Sequence, residues 1–341
     1  MDPSAVSLVV PVGGAAPHWP RAARSFERLD PPPGEIVVVA DGVALDAATL
    51  PAGATVVQLE RRGGPARARN HGVEAARGEL VFFLDSDVEA PSDLIARVSS
   101  CFAPRTDEPL PSAVIGSYDA APGAPGFVSQ YRNLLHHIVH QTSAEQASTF
   151  WSGCGAVRRA AFLAVGGFDE GYADPSIEDI ELGARLLRGG HRIRLVKDLQ
   201  VKHLKRWTFG QMVHTDLFRR AVPWTEQMLG ADGLIDDLNV KTRDRLAVVC
   251  AFLAVAALVV PVCAGALRRR AVTVSCTLVT ACLLAIVGLC RDIFGFFLRA
   301  RGLLFTLGVL PLYWLYLLIC GLGFALGLAR HSGRQLLKRV T

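Results

Sequence analysis

No Cys-x-x-Cys pair occurs anywhere in the 341 residues, so neither a zinc site nor a redox dithiol is indicated. Eight cysteines are scattered, six of them (Cys250, Cys263, Cys276, Cys282, Cys290, Cys320) in the apolar C-terminal part, and they suggest no disulfide framework. The start, MDPSAVSLVVPVGG, lacks a basic region, and its apolar run is too short for a signal peptide. The first part of the chain is therefore expected on the cytoplasmic side. Nothing in the sequence resembles the aromatic-interleaved basic surface of an RNA- or DNA-binding protein, which argues against nucleic acid as a partner. Acid is scarce at one end: from Arg245 onward ten arginines and one lysine face a single acid, Asp292, a net +10 that leaves −5 for residues 1–244. Arginines that punctuate apolar spans suit an anionic bilayer.

Three charge-free stretches, 246–267, 271–290 and 302–329, each meet the roughly 20-residue requirement for a spanning helix. They predict an all-α membrane region over 246–341, reached through a linker at 236–245 from a first domain at 1–235. The third stretch has 28 residues, long for one crossing and short for two, so a tilt or a kink at Pro311 is expected. Before it, RDIFGFFLRARG sets Arg291, Arg299 and Arg301 around phenylalanines, as in an interfacial helix. Basic residues divide almost evenly between the two sides, so the positive-inside rule assigns no side to the C-terminus.

The first domain reads as strand, helix, strand. VSLVVP (6–11) and EIVVVA (35–40) are continuous β-branched runs on either side of a segment suited to a helix, the pattern of a parallel sheet covered on both faces. A third short strand is expected at 55–59. LVFFLDSDVEAP (80–91) is the centre of the domain: five apolar residues suit a buried strand, and Asp85 and Asp87 follow without a spacer. Two carboxylates at the carboxyl end of a buried strand are costly unless a cation sits there, which points to a divalent metal holding a phosphate. Taken alone, such a pair is more often a helix cap or a solvated turn.

Other segments add to this. Asp41 ends the second strand. Gly63-Gly64-Pro65 opens a helix carrying Arg67 and Arg69, a combination suited to a diphosphate. FVSQYRNLLHHIVHQ (127–141) reads as an amphipathic helix at the membrane-facing edge; its His136 and His140 have zinc spacing but lack a third ligand. In PSIEDIELGARLLR, Glu178 and Asp179 open a helix, where they cap it or supply a base that takes a proton from an acceptor hydroxyl. HLKRW and RRAVPW place His203, Arg220 and Trp224 as candidates for acceptor or phosphate contacts, or for a membrane interface.

In this order the motifs VVPV, VVADG, GGPARARN, FFLDSDV, SGCGAVRR, VGGFDE and EDIELGARL resemble the family 2 inverting glycosyltransferases of the GT-A fold, over roughly residues 5–225. The resemblance implies an α/β, Rossmann-like, mostly parallel sheet with helices on both faces. It implies donor contacts from Pro11, Asp41, Arg69 and Asp85, and Mg²⁺ or Mn²⁺ on Asp85 and Asp87. It assigns the base to Asp179, with Glu178 beside it. The family's processive Gln-x-x-Arg-Trp is replaced by RRAVPW, and Gly13-Gly14 stands where Tyr-Asn is usual. Together these features lead to an expected reaction. A nucleotide-diphosphate sugar, most simply a UDP-sugar, would donate to a lipid or lipid-linked hydroxyl at the cytoplasmic face of the cell's inner membrane. Transfer to a polyprenyl phosphate and a non-catalytic membrane protein with a retained nucleotide fold are the alternatives.

Overall fold

The structure, a computed structural model, describes residues 1–104, 109–230, 240–263 and 269–340, without the side chains of 337–340. Residues 236–239 of the expected linker and the end of the first apolar stretch, 264–267, lie outside the described residues. The chain forms two compact units, Met1–Thr208 and Phe209–Thr341.

In the first unit the order is β1 (Val6–Gly13), α1 (Trp19–Phe26), β2 (Glu35–Asp41), β3 (Thr55–Leu59), α2 (Pro65–Ala75), β4 (Leu80–Leu84) and β5 (Val88–Glu89). There follow α3 (Leu94–Cys101), β6 (Ala113–Tyr118), α4 (Phe127–Gln141), β7 (Cys154–Arg158), α5 (Arg159–Ala164), α6 (Glu178–Arg188) and β8 (Ile193–His203). The strands form one sheet in the order β3-β2-β1-β4-β7-β6-β8-β5. Pairings β1–β2, β1–β4, β2–β3 and β6–β8 are parallel; β7 opposes β4 and β6, and β5 opposes β8. The sheet is thus mixed, with only β7 and β5 opposed to the other strands. The reason is that β7 is entered from the carboxyl-end edge, where the Asp85 amide donates to the Gly153 carbonyl at 3.4 Å. As a result β1, β2, β3, β4, β6 and β8 all end at the same edge, and the residues just before β7 join them.

Both faces of the sheet are buried, which explains why its strands read as continuous apolar runs. Alternate residues serve opposite faces: Leu8, Val10, Phe82 and Leu84 on one, Val9, Val39, Val81 and Phe83 on the other. Phe83 anchors the second face, its ring 5.4 Å from Phe168 and 5.8 Å from Phe162. Helix α4 packs on this sheet. Nδ1 of His137 donates to the Tyr118 carbonyl (2.7 Å) and Nδ1 of His140 to that of Gly116 (2.9 Å), so these imidazoles satisfy backbone of β6. Among the described residues no group of three His, Cys, Asp or Glu could hold a metal, so the zinc spacing has no third partner.

The second unit holds α7 (Phe209–His214), a π-helical turn (Thr215–Ala221), α8 (Val222–Gly230), α9 (Thr242–Cys263), α10 (Arg269–Leu289) and α11 (Arg291–Val340). Leu217 and Val222 pack on Ile319, so residues 209–230 associate with the apolar helices. Three helices, Thr242–Cys263, Arg269–Leu289 and Arg291–Leu336, are long and apolar enough to cross a membrane. The break in α11 falls at Gly302 (φ 80°, ψ 178°), whereas Pro311 sits inside the helix. That backbone conformation is essentially closed to any residue with a Cβ.

Phe83→Ala should destabilise the first unit by about 3–5 kcal/mol, the usual cost of emptying an aromatic site in a core. The thermal midpoint of the purified full chain, followed by intrinsic fluorescence, checks this; an unchanged midpoint would contradict the central placement of Phe83.

Candidate active site

The strand ends gather the polar groups. β1 is flanked by β2 on one side and β4 on the other, and such a switch in strand order opens a crevice at the carboxyl ends. Asp85 and Asp87 leave β4 there, with Asp41 at the end of β2, Tyr118 at the end of β6 and His203 at the end of β8. Ser152, just before β7, and Asp179, in the first turn of α6, arrive from the other direction.

Arg69, on α2, is the electrostatic centre. It is 4% exposed, and its guanidinium donates to Asp85 Oδ1 (2.7 Å) and to Glu178 Oε1 (3.1 Å) while lying 5.5 Å over the Phe168 ring. Burial pulls its pKa down, but Asp85 and Glu178 outweigh that and leave it raised. Glu178 is itself buried, and its second oxygen accepts from the Ser176 amide at 2.8 Å. Both of its oxygens are therefore engaged within the protein.

Asp179 differs. It is half-buried; its Oδ2 accepts from the Ser152 amide (3.2 Å) and hydroxyl (3.3 Å), and its Oδ1 from the Ile180 amide (2.9 Å). Burial and the neighbouring Glu178 push its carboxyl up to about 7, against Arg69. A carboxylate that titrates near neutrality, fixed by three donors, is equipped to accept a proton.

The Asp85–Asp87 pair is split by its surroundings. Burial raises Asp85, and Asp87 adds to it, against the pull of Arg69. Burial would raise Asp87 as well, but His203, Lys205 and His18 hold it down at about 2. His203 Nε2 lies 3.5 Å from Asp87 Oδ2; its Nδ1 meets Asn133 Oδ1 at 2.5 Å, and its ring stacks on Tyr118 at 4.1 Å. Burial and these two acids push the Tyr118 phenol well above its usual value.

Asp41 does something the sequence did not suggest. Its two oxygens accept from the amides of Gly63 (2.7 Å) and Gly64 (2.9 Å), so the carboxylate pins the turn before α2. Gly64 has φ 87°, and a Cβ there would strike the Ala173 carbonyl oxygen. The Gly-Gly-Pro turn is thus already occupied by an internal anion, and Arg67 is solvated beside it. Pro11 lies within β1, half-buried and paired in register with Val39. Arg220 and Trp224 belong to the second unit, where Arg220 lies 3.9 Å from Asp216 and Trp224 is buried. Ser152, Tyr118, Asn133 and Phe168 were not singled out by sequence; each acts through a partner remote in the chain, and no local pattern marks such a role.

Residues 7–166 match the family model described as glycosyl transferase family 2, and residues 133–208 match the N-terminal domain of galactosyltransferase. The chain carries a family 2 glycosyltransferase domain. The mannosyltransferase PcManGT from Pyrobaculum calidifontis, solved in complex with GDP-Man and Mn²⁺, shares the fold of this glycosyltransferase. The TM-score is 0.53 at 20% identity, covering 83% of this chain and 86% of that one. S. aureus TarS 1–349 in complex with UDP-GlcNAc gives a TM-score of 0.48 at 17% identity, covering 90% and 91%. No curated protein matches the chain.

A divalent ion fits the donor set. Two half-buried carboxylates one residue apart raise one another's cost of ionisation, and a dication between them removes it. Mg²⁺ and Mn²⁺ are commonly held by one or two carboxylates, with phosphate oxygens and water completing the shell. Asp85 and Asp87 can supply that pair.

The raised Asp179 has a stability consequence. Between its ordinary 3.8 and about 7 the folded chain holds a proton that the unfolded chain has released, so stability falls as pH rises through that window. Asp179→Asn removes the titration. Its thermal midpoint should exceed the wild type's by more at pH 8 than at pH 5; a constant difference across that range would contradict the shift.

Proposed function

We propose that the chain is a membrane-anchored inverting glycosyltransferase. It moves a sugar from a nucleotide-diphosphate sugar, most simply a UDP-sugar, to a hydroxyl of a lipid or lipid-linked acceptor. The observation that carries this reading is Asp179: a half-buried carboxylate raised to about 7, fixed by Ser152, on the strand-end edge that also holds Asp85 and Asp87.

In this reading Asp179 takes the proton of the acceptor hydroxyl as its oxygen attacks the anomeric carbon from the face opposite the leaving group. The bond from that carbon to the phosphate oxygen breaks, and its electron pair departs with the nucleoside diphosphate. Ser152 aims Asp179 by donating its amide and hydroxyl, and Arg69 fixes Asp85 and Glu178 on either side of the crevice. Mg²⁺ or Mn²⁺ on Asp85 and Asp87, when bound, would neutralise charge developing on the diphosphate. A single base with no partner nucleophile fits one displacement with inversion. A phosphate acceptor is already anionic and has no need of a base, so Asp179 favours a hydroxyl. The three apolar helices support a lipid acceptor, and nucleotide sugars supplied from the cytoplasm favour that face of the inner membrane.

Asp179→Asn should lower turnover by about 10²–10⁴-fold, the usual worth of a general base, while leaving donor affinity within a few-fold of wild type. Asp87→Asn should abolish Mn²⁺-dependent thermal stabilisation by the donor. Screening UDP-sugars with detergent-solubilised chain reads both effects. Undiminished turnover in the first variant would overturn the base, and retained metal-dependent binding in the second would overturn the metal site.

A further inference from the structure

Hydropathy passes over residues 209–230, which include His214, Asp216, Arg219, Arg220 and Glu226. Packing does not. Besides Leu217 and Val222 on Ile319, two glycines of α11 set how the π-helical turn and α8 lie against it. A Cβ on Gly323 would overlap Ala221, and one on Gly327 would lie 2.7 Å from Thr225. The step of four residues is the same on both partners, so they run side by side in one direction. Ala221 is level with Gly323, and Thr225 with Gly327. Small residues at such a contact let two backbones approach closely, as they do between helices in lipid. Gly323 and Gly327 belong to the charge-free stretch 302–329, so α8 accompanies the last turns of an apolar helix.

The ionised groups of this segment meet partners within the same unit. Asp216 is 6% exposed with Arg220 3.9 Å away, and Glu226 lies 3.0 Å from Arg334. Two neutral groups differ. Trp224 is 9% exposed, and its indole N–H and the Gln227 Oε1 are buried without a hydrogen-bond partner among the described residues. Three residues apart on α8, they are neighbours on one face. Continuing the register of Thr225 on Gly327 sets them level with residues 326–329, where the charge-free stretch ends and the headgroups of a bilayer begin. A donor and an acceptor one turn apart suit a single atom that both accepts and donates, which is a hydroxyl oxygen. A phosphate diester or an acyl ester only accepts, and choline does neither.

We infer that the Trp224–Gln227 turn is a site for a hydroxylated lipid headgroup, whose hydroxyl accepts from the Trp224 N–H and donates to the Gln227 oxygen. It uses none of Asp85, Asp87 and Asp179, so it stands or falls apart from the transfer reaction. The test is native mass spectrometry of the full chain in lauryldimethylamine oxide, a detergent without a hydroxyl, with neither nucleotide sugar nor metal added. The chain is offered equal amounts of monoglucosyldiacylglycerol, phosphatidylglycerol, phosphatidylmethanol and phosphatidylcholine with matched acyl chains. The two hydroxylated lipids should be retained several-fold over the other two, and the larger of them tells a sugar from a glycerol headgroup. Trp224→Phe with Gln227→Leu, which keeps the apolar volume, should bring all four to parity. Trp314→Phe, on α11, should leave the preference intact. Phosphatidylmethanol retained as well as phosphatidylglycerol, parity in the unsubstituted chain, or a preference that survives the double substitution would overturn the site.

Discussion

One buried guanidinium holds the strand-end edge together. Arg69 sits between Asp85 and Glu178 at 4% exposure, with the Phe168 ring beneath it. Removing a charge of this kind strands its partners, at a cost of about 3–5 kcal/mol for a buried pair. The rest of the site is built to keep it in place. Asp41 fastens the turn from which α2 starts, Phe83 supports Phe168, and Ser176 takes the second oxygen of Glu178. One cation thus joins the strand that carries the Asp85–Asp87 pair to the helix that carries Asp179.

That link lets neighbouring carboxylates hold different protonation states. Asp87, facing His203, stays at about 2, whereas Asp179, half-buried beside Glu178, rises to about 7. Environments that push carboxylates apart are how one site supplies both a permanent anion and a proton acceptor. Glu178 contributes by staying where it is: its charge raises Asp179 and its oxygens are already committed.

The strands were legible because burial on both faces leaves an unbroken apolar run, and LVFFL runs from Leu80 to Leu84 in the structure as in the sequence. The acids at the strand ends were legible for the same reason, since nothing separates them from the core. What stayed hidden was long-range. Asp41 lies 22 residues from the Gly63 amide it accepts from, and the Gly-Gly-Pro turn looked open until that carboxylate was seen to fill it. Ser152 reaches Asp179 across 27 residues. In the apolar half, composition marks helices but not their path, so Pro311 drew attention while the break occurs at Gly302.

The central claim is that one carboxylate base drives one displacement. Proton NMR of the glycoside product tests it most directly, because the coupling of its anomeric proton reports the configuration and the glycosidic bond holds it fixed. An α-linked donor should give a β-linked product. An α-linked product would require a second covalent step, for which Asp179 alone is not sufficient, and would contradict the account.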